Sequence, residues 1–240
     1  KETGLPMDFD GTIYPWFAFL ATRENPNIAV ANRFYGLSSD GDHKIRGIAL
    51  RRGDTCPYAS NIQRSVLEIL SKEPDPAKLP ALLPEIIEMV KEMFDALKKR
   101  EVPLEQLVIT QTLSRELSNY SVLTPLALAA RQLQGQGKVM KRGQQVRYIH
   151  VARTPGVYAW DLPNEPGLQT INVYQYRELA FRAVYEVLQP LGIRERVLRD
   201  WLVNKASYVP PEELTNPQQQ FAKQVVPIFA DLTDLHLDVV

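Results

Sequence analysis

The sequence has one cysteine and three histidines, so two common kinds of site are excluded at once. Cys56 alone can form neither an internal disulfide nor a zinc site, and a reducing compartment is therefore expected. The histidines, His43, His150 and His236, lie far apart and lack the spacing of metal ligands. We expect no metal site in this chain.

Long apolar runs are also absent. No stretch approaches the roughly 20 residues that a membrane-spanning helix needs, so no membrane segment is expected. Residues 1–4 carry no signal-peptide pattern, and the first residue is not methionine, which predicts a trimmed or internal fragment. Hydrophobic residues make up 45% of the 240, enough for a real core, and global disorder is excluded.

The formal net charge is also zero, because 28 Lys and Arg residues balance 28 Asp and Glu residues. That balance argues against nucleic-acid binding, since phosphate neutralisation needs an excess of cations. The charges are not spread evenly along the chain, however, because no carboxylate lies between Glu116 and Asp161. Such a segment predicts a local positive electrostatic field. The field indicates either a binding site for a polyanion or a solvated basic surface without a partner. The cations of residues 121–160 are Arg131, Lys138, Lys141, Arg142, Arg147 and Arg153.

Hydrophobic periodicity changes near residue 58. Before it, the predicted strands are 13–20, 28–37 and 44–52, with a hairpin turn at Asp40-Gly41-Asp42. After it, Ser60 is a candidate N-cap for a first helix. The later patterns predict helices at 83–97, 125–133 and 172–188 and strands at 107–110 and 144–152. The fold class is therefore α+β, with antiparallel strands first and a mostly helical part with a few short strands after them.

A short acidic motif lies near the start. Asp8-Phe9-Asp10-Gly11-Thr12-Ile13 resembles the nucleophile motif of haloacid-dehalogenase-like phosphatases. That chemistry needs both carboxylates at the end of a buried parallel strand, with Mg²⁺ and later lysine and acidic partners. Residues 4–7 are not an apolar strand, Pro15 follows closely, and no βα alternation is present. A phosphatase is therefore the third alternative for this chain.

Several blocks, in the same order, resemble the C-terminal part of B-family DNA polymerases. In the first part, 5–20 resembles the palm strand and turn after the catalytic aspartates, 32–36 the Lys-x-Tyr motif, and 44–54 the RG…RRD strand. In the second part, the similar blocks are 101–109 (EVPxExLVI), 113–125 (ITRDL…Y…P), 143–149 (GxxVxYI) and the helix from Tyr174 to Leu188. The resemblance implies the end of a palm domain at 1–58, a thumb domain at 59–205 and a divergent tail at 206–240.

The resemblance implies that the chain grips primer-template duplex DNA as part of a DNA-directed DNA polymerase. The family's metal-binding aspartates lie upstream of Lys1, so no catalytic residue is expected here, and Mg²⁺ is expected only in the complete polymerase. The expected partners are double-stranded primer-template DNA and the portion with the catalytic palm and fingers. The expected location is the cytoplasm, at the nucleoid.

The Lys-x-Tyr block departs from the family pattern. Asn32 stands for the lysine and Phe34 for the tyrosine, with Tyr35 one place later. These changes are typical of a divergent or inactivated branch, and a separately encoded subunit and an excised fragment are both open alternatives. A different class of function is a non-catalytic interaction module of a replication complex, in which the acidic tail with Phe221 and Phe229 binds a protein partner.

A thumb holds duplex DNA by its backbone, so cations and small polar residues are the candidates for contact. Arg51 and Arg52, if they lie on a strand, point to opposite faces, and only one of them reaches DNA. The cluster 98–100 is interpreted instead as complementing a helix dipole. The predicted DNA-binding residues are Asn32, Arg33, Phe34, Tyr35, Arg46, Arg51, Arg52, Ser114, Arg115, Arg131, Lys138, Lys141, Arg142 and Arg147.

Overall fold

The computed structural model describes residues 14–22, 28–204 and 207–209, and the backbone of 225–226. Within these residues the expected mixture of helices and antiparallel strands is confirmed. The strands are β1 (Trp16–Ala21), β2 (Ala29–Leu37), β3 (His43–Arg46), β4 (Ile109–Thr112), β5 (Gln145–His150), β6 (Val157–Ala159) and β7 (Val225–Val226). The helices are α1 (Pro57–Leu70), α2 (Leu83–Lys98), α3 (Leu104–Leu107), α4 (Pro125–Gly135), α5 (Val173–Leu188) and α6 (Glu195–Leu202).

The first sheet has the order β3-β2-β1-β7 and contains the predicted hairpin. At its turn, the Ser38 amide donates to the Asp42 carbonyl at 2.8 Å, and Gly41 has the positive φ that tight hairpin turns need. The predicted third strand is wrong beyond Arg46, where the chain leaves the sheet. Gly47 turns it at φ 67°, and a short 3₁₀ helix, Ala49–Arg51, follows.

An irregularity in β2 decides which side chains face the helices. The β1–β2 register runs regularly from Trp16 to Phe19 and then shifts before Ala21. Asn32 lies in this irregularity at φ 63°, a left-handed conformation that asparagine tolerates better than most residues. Beyond it, alternate residues of β2 point to opposite faces of the sheet.

Helix α1 begins earlier than predicted, at Pro57 rather than at a capping Ser60. Proline suits a first helical position because its fixed φ is helical and it lacks the amide hydrogen that would have no partner there. Hydrophobic periodicity also missed the one-turn helix α3, strand β6 and helix α6. Each is short, so few periodic residues mark it. The second sheet has the order β4-β5-β6.

One hydrophobic core joins both sheets to the helices. It runs without a break from Trp16 and Tyr35 of the first sheet through Ile62 of α1 to Val184 of α5 and Val146 of the second sheet. The division at residue 58 stays a prediction, and in this structure the core crosses it. Most of the tail, 206–240, and the whole Asp8–Ile13 motif lie outside the described residues.

Candidate nucleic-acid interface

Most of the predicted contacts in the acid-free segment and directly before it lie together, and we call Ser114, Arg115, Lys138, Lys141, Arg142 and Arg147 the loop group. Two backbone contacts assemble it. The Gly143 amide donates to the Leu113 carbonyl at 2.8 Å, and the Arg142 amide donates to Glu116 Oε1 at 3.3 Å. The 138–144 loop therefore lies beside residues 113–116, although some 25 residues of chain separate them.

Ser114 and Arg115 are both organised by Tyr120. The Ser114 amide donates to the Tyr120 hydroxyl at 3.1 Å, and the Arg115 guanidinium lies 5.2 Å from the ring centroid, a cation–π distance. The Ser114 hydroxyl lies 3.3 Å from the Tyr120 hydroxyl, and this side-chain hydrogen bond is the largest cause that lowers the pKa of the Tyr120 phenol. Both Ser114 and Arg115 remain exposed.

Asp161, the acid that ends the acid-free segment, folds back onto it. Its carboxylate forms an ion pair with the Arg147 guanidinium, and its backbone carbonyl accepts a hydrogen bond from Lys138 Nζ at 2.9 Å. Glu116, the acid before the segment, also contacts it, because its carboxylate accepts a hydrogen bond from the Arg142 backbone amide. The segment without acids in the sequence therefore does have carboxylates next to it in the fold.

Among the cations of residues 121–160, Arg131, Lys138, Lys141, Arg142 and Arg153 form no ion pair with the described residues, whereas Arg147 does. Lys141 lies in the loop and Arg131 on α4, and both side chains are exposed. The Arg142 guanidinium is likewise exposed and unpaired within the part of the chain that the structure describes. Arg131 is not joined to the loop group by any hydrogen bond or ion pair of the structure.

The predicted contacts at the start of the chain differ, because two of them share one carboxylate. Glu186 of α5 accepts from Arg33 Nη2 at 2.8 Å and from Arg52 Nη1 at 3.3 Å, both on Oε1. Its Oε2 accepts from the Ala49 amide at 2.9 Å and from Gln63 Nε2 at 3.3 Å. We call Arg33, Arg52, Gln63 and Glu186 the junction group.

The remaining residues of the Lys-x-Tyr block are divided between the two faces of β2. Tyr35 is fully buried and its hydroxyl donates to the Val187 carbonyl of α5, so in this structure the side chain belongs to the core and DNA cannot reach it. Burial raises the pKa of its phenol. Phe34 is on the opposite face, 5.0 Å from the ring centroid of Phe17. Asn32 is exposed.

Arg46 and Arg51 are exposed and have no ion-pair partner within residues 14–22 and 28–204. Arg46 is the last residue of β3, and Arg51 ends the 3₁₀ helix that follows. The expectation that Arg51 and Arg52 lie on one strand is wrong. The chain has already left the sheet at Gly47, and only Arg52 turns back to Glu186.

A groove of about 400 Å³ separates the segment after Arg52 from the second sheet. It is lined by Gly53, Thr55 and Pro57 from that segment and by Glu105, Val108, Thr110, Arg147 and Trp160. Thr110 and Arg147 are register partners of β4 and β5, which explains why their side chains meet on one face. The groove therefore brings Arg147 of the loop group close to the residue that follows Arg52.

Three other properties bear on the kind of protein. Among the described residues, no three His, Cys, Asp or Glu side chains are grouped so that they could hold a metal ion. No helix in the described part of the chain is long and apolar enough to cross a bilayer. Every strand pair that the structure describes is antiparallel, whereas the phosphatase chemistry needs a parallel strand.

A family model described as DNA polymerase family B matches residues 31–189, which is more than half of the sequence. The chain belongs to DNA polymerase family B. The matched range includes both the junction group and the loop group. It ends just after Glu186, so α6 and the tail lie beyond it.

Similar proteins are polymerases of archaea. The DNA polymerase of Archaeoglobus fulgidus is 31% identical over 119 residues, which are 50% of this chain and 14% of that protein. DNA polymerase 1 of Aeropyrum pernix is 27% identical over 194 residues, 80% of this chain and 19% of that protein. The structure of the family B DNA polymerase from Pyrobaculum calidifontis has a TM-score of 0.55 at 26% identity, with 69% and 21% coverage. The chain thus spans about a fifth or less of each relative.

Sequence reasoning missed Glu186, Gln63 and Asp161 as members of the site. Glu186 and Gln63 lie on two helices for which no site residue was predicted, and both side chains are largely or fully buried. The only indication in the sequence was the residue type, because a glutamine or a carboxylate on an otherwise apolar helix face needs a hydrogen-bond partner when it is buried. Asp161 was noticed only as the end of the acid-free segment.

Proposed function

We propose that this chain is the end of the palm and the thumb of a family B DNA polymerase, and that it grips the backbone of primer-template duplex DNA. The observation that carries the proposal is the exposed loop group, of which Arg147 lines the groove, inside the range that matches the family. Backbone gripping requires cations and small polar groups without base-reading geometry, and the loop group supplies both kinds.

The electrostatics favour phosphate as the ligand. Arg115, Lys141 and Arg142 are exposed, and their side chains form no ion pair with the described residues. Arg147 is paired with Asp161, but its side chain is half exposed, so a phosphate could replace that carboxylate as its partner. Four such contacts would make log K fall against log salt with a slope of about −3.6.

The proposal includes partners that this chain does not contain. Two-metal phosphoryl transfer needs carboxylates that hold Mg²⁺ against the triphosphate and the primer, and the resemblance assigns them to residues upstream of Lys1. Polymerisation therefore requires the portion with the catalytic palm and fingers, with Mg²⁺ bound there. The place of action would be the nucleoid in the cytoplasm.

The first test is duplex binding by the 240-residue chain at several salt concentrations. We expect binding that weakens steeply with salt, and at least a tenfold loss of affinity at about 0.15 M salt when Lys141→Glu and Arg142→Glu are combined. The matched control is Lys98→Glu with Lys99→Glu, which reverses two exposed charges at the end of α2. Equal losses in the two double variants, or no duplex binding at low salt, would refute the proposal.

The second test separates gripping from catalysis. Primer extension is measured with this chain alone, with a chain that carries the family's catalytic aspartates alone, and with the two mixed. We expect extension only in the mixture, because the thumb supplies the grip and the other chain supplies the metal ligands. Extension by this chain alone would show that the assignment of the catalytic aspartates is wrong.

A further inference from the structure

Glu186 accepts hydrogen bonds from three different segments of the chain. Arg33 comes from β2, Ala49 and Arg52 from the turn after β3, and Gln63 from α1, while Glu186 itself lies near the end of α5. Its side chain is only 15% exposed. A carboxylate has about four acceptor positions, and these four donors use all of them.

Gln63 fixes the other side of the same turn. Its side chain is fully buried, its Oε1 accepts from the Leu50 amide at 2.6 Å, and its Nε2 donates to the Ala183 carbonyl at 2.7 Å. Two consecutive amides, those of Ala49 and Leu50, are therefore held by side chains of α5 and α1. The residues that follow them directly in sequence are Arg51 and Arg52.

The two arginines on Glu186 have different degrees of freedom. Arg33 also donates from Nε to the Gly47 carbonyl at 3.2 Å, and its side chain is 34% exposed. Arg52 donates to Glu186 through Nη1 and forms an exposed ion pair through Nε with Asp54 at 3.6 Å, and its side chain is 48% exposed. Since a guanidinium has five N–H donors, Arg52 can bind a phosphate while it remains on Glu186.

We propose that Glu186 is a positioning residue for DNA binding, which holds the 49–52 turn so that Arg51 and Arg52 meet the phosphates at the edge of the groove. The inference rests on the proposed function. Arg33 then acts as a brace between Gly47 and Glu186 and not as a DNA contact. The turn leads directly to Gly53, which lines the groove, so the direction of these two arginines depends on how the turn is held.

The test compares two Glu→Gln variants of the same helix. Glu178 of α5 pairs with Arg199 at 2.7 Å and is 13% exposed, so Glu178→Gln is matched to Glu186→Gln in burial and chemistry but does not touch the turn. Duplex affinity is measured at several salt concentrations, and melting temperatures are recorded for both variants. We expect Glu186→Gln to lower the steepness of the salt dependence by roughly 0.9 to 1.8, equivalent to one or two contacts, and Glu178→Gln to leave it unchanged.

A second arm separates positioning from a general loss of structure. In a background of Arg51→Gln with Arg52→Gln, Glu186→Gln should change the salt dependence no further, because the groups that it positions are gone. An equal change in both backgrounds would overturn the inference, and so would unchanged or tighter duplex binding by Glu186→Gln alone. If the unaltered chain does not bind duplex at all, the proposed function fails first, and the two failures are thereby distinguished.

The unaltered chain provides a measurement that does not depend on the folding of a variant. Hydrogen exchange of the Ala49 amide is followed with and without duplex DNA. We expect its protection to persist or increase when DNA binds, because Glu186 keeps the turn in place. A loss of protection on binding would mean that DNA displaces Glu186, and the positioning role would then be wrong.

Discussion

The junction group and the loop group both contain arginines, yet the two regions use the charges of these side chains differently. Arg33 and Arg52 are bound to one carboxylate that is 15% exposed, and this carboxylate also holds backbone and amide groups. Lys141 and Arg142 have side chains that are exposed and form no ion pair with any described residue. A cation that already satisfies a buried carboxylate contributes less to a field outside the protein than a cation without such a partner.

The difference shows that the number of cations in a segment is not the number available to a ligand. The predicted cationic contacts before residue 58 are Arg33, Arg46, Arg51 and Arg52, but Arg33 and Arg52 are committed to Glu186. The acid-free segment loses Arg147 in part to Asp161 and keeps the others. We therefore expect the loop group to dominate affinity for DNA and the junction group to dominate the geometry of the turn.

The largest effect on stability is expected from a substitution that distorts the backbone next to the junction group. A Cβ at Gly47 would lie 2.4 Å from the Asn32 carbonyl oxygen, at a φ of 67° that other residues adopt with strain. Gly47→Ala should therefore lower the free energy of unfolding by about 2–4 kcal/mol, measured by urea denaturation. The control is Gly53→Ala, where the new Cβ meets nothing within 4 Å and φ is not positive. Equal losses in the two variants would contradict this explanation.

The periodic elements could be predicted from the sequence, whereas the site could be predicted only in part. The helix expected at 83–97 is Leu83–Lys98, because many residues at helical spacing mark it. The strand expected to reach residue 52 ends at Arg46, because a single glycine reverses the chain there. Arg33 and Glu186 are 153 residues apart, and no local pattern indicates that they pair. The pairing follows from how α5 packs on α1 and brings its C-terminal end against β2, which only the folded chain specifies.

The next effect concerns the core that both groups share. His150 of β5 is 8% exposed, and burial lowers its pKa below 6.5, because the charged imidazolium is poorly solvated there. The unfolded chain therefore takes up a proton that the folded chain does not. Stability should be complete above about pH 6.5 and should fall as the pH drops below it, by at most about 1.4 kcal/mol per pH unit.

Urea denaturation between pH 5 and pH 8 measures this dependence, with His150→Gln as the variant in which this contribution disappears. Because one core joins the sheets, both regions should unfold in the same transition. Separate transitions for the first sheet and for the loop group would show that the two regions are independent.

A smaller effect is expected at Tyr35, whose hydroxyl donates to the Val187 carbonyl inside the core. Tyr35→Phe removes one hydrogen bond and leaves the ring packing, so stability should fall by about 1 kcal/mol. Duplex affinity should not change, because the phenol is fully buried. A loss of affinity at unchanged stability would show that Tyr35 leaves the core when DNA binds.

The smallest expected change distinguishes the two groups most directly. Lys141→Gln removes an exposed cation, and the slope of log K against log salt should become shallower by about 0.9, with little change in stability. Arg33→Gln removes a cation that braces Gly47 and Glu186, so we expect a lower melting temperature and an unchanged slope. Duplex titrations at four or more salt concentrations, with melting curves for both variants, measure the two quantities. If the two variants change the slope equally, Arg33 contributes to DNA binding as much as Lys141 does, in spite of its ion pair with Glu186. The position of cations in the sequence would then be a sufficient guide to DNA contact.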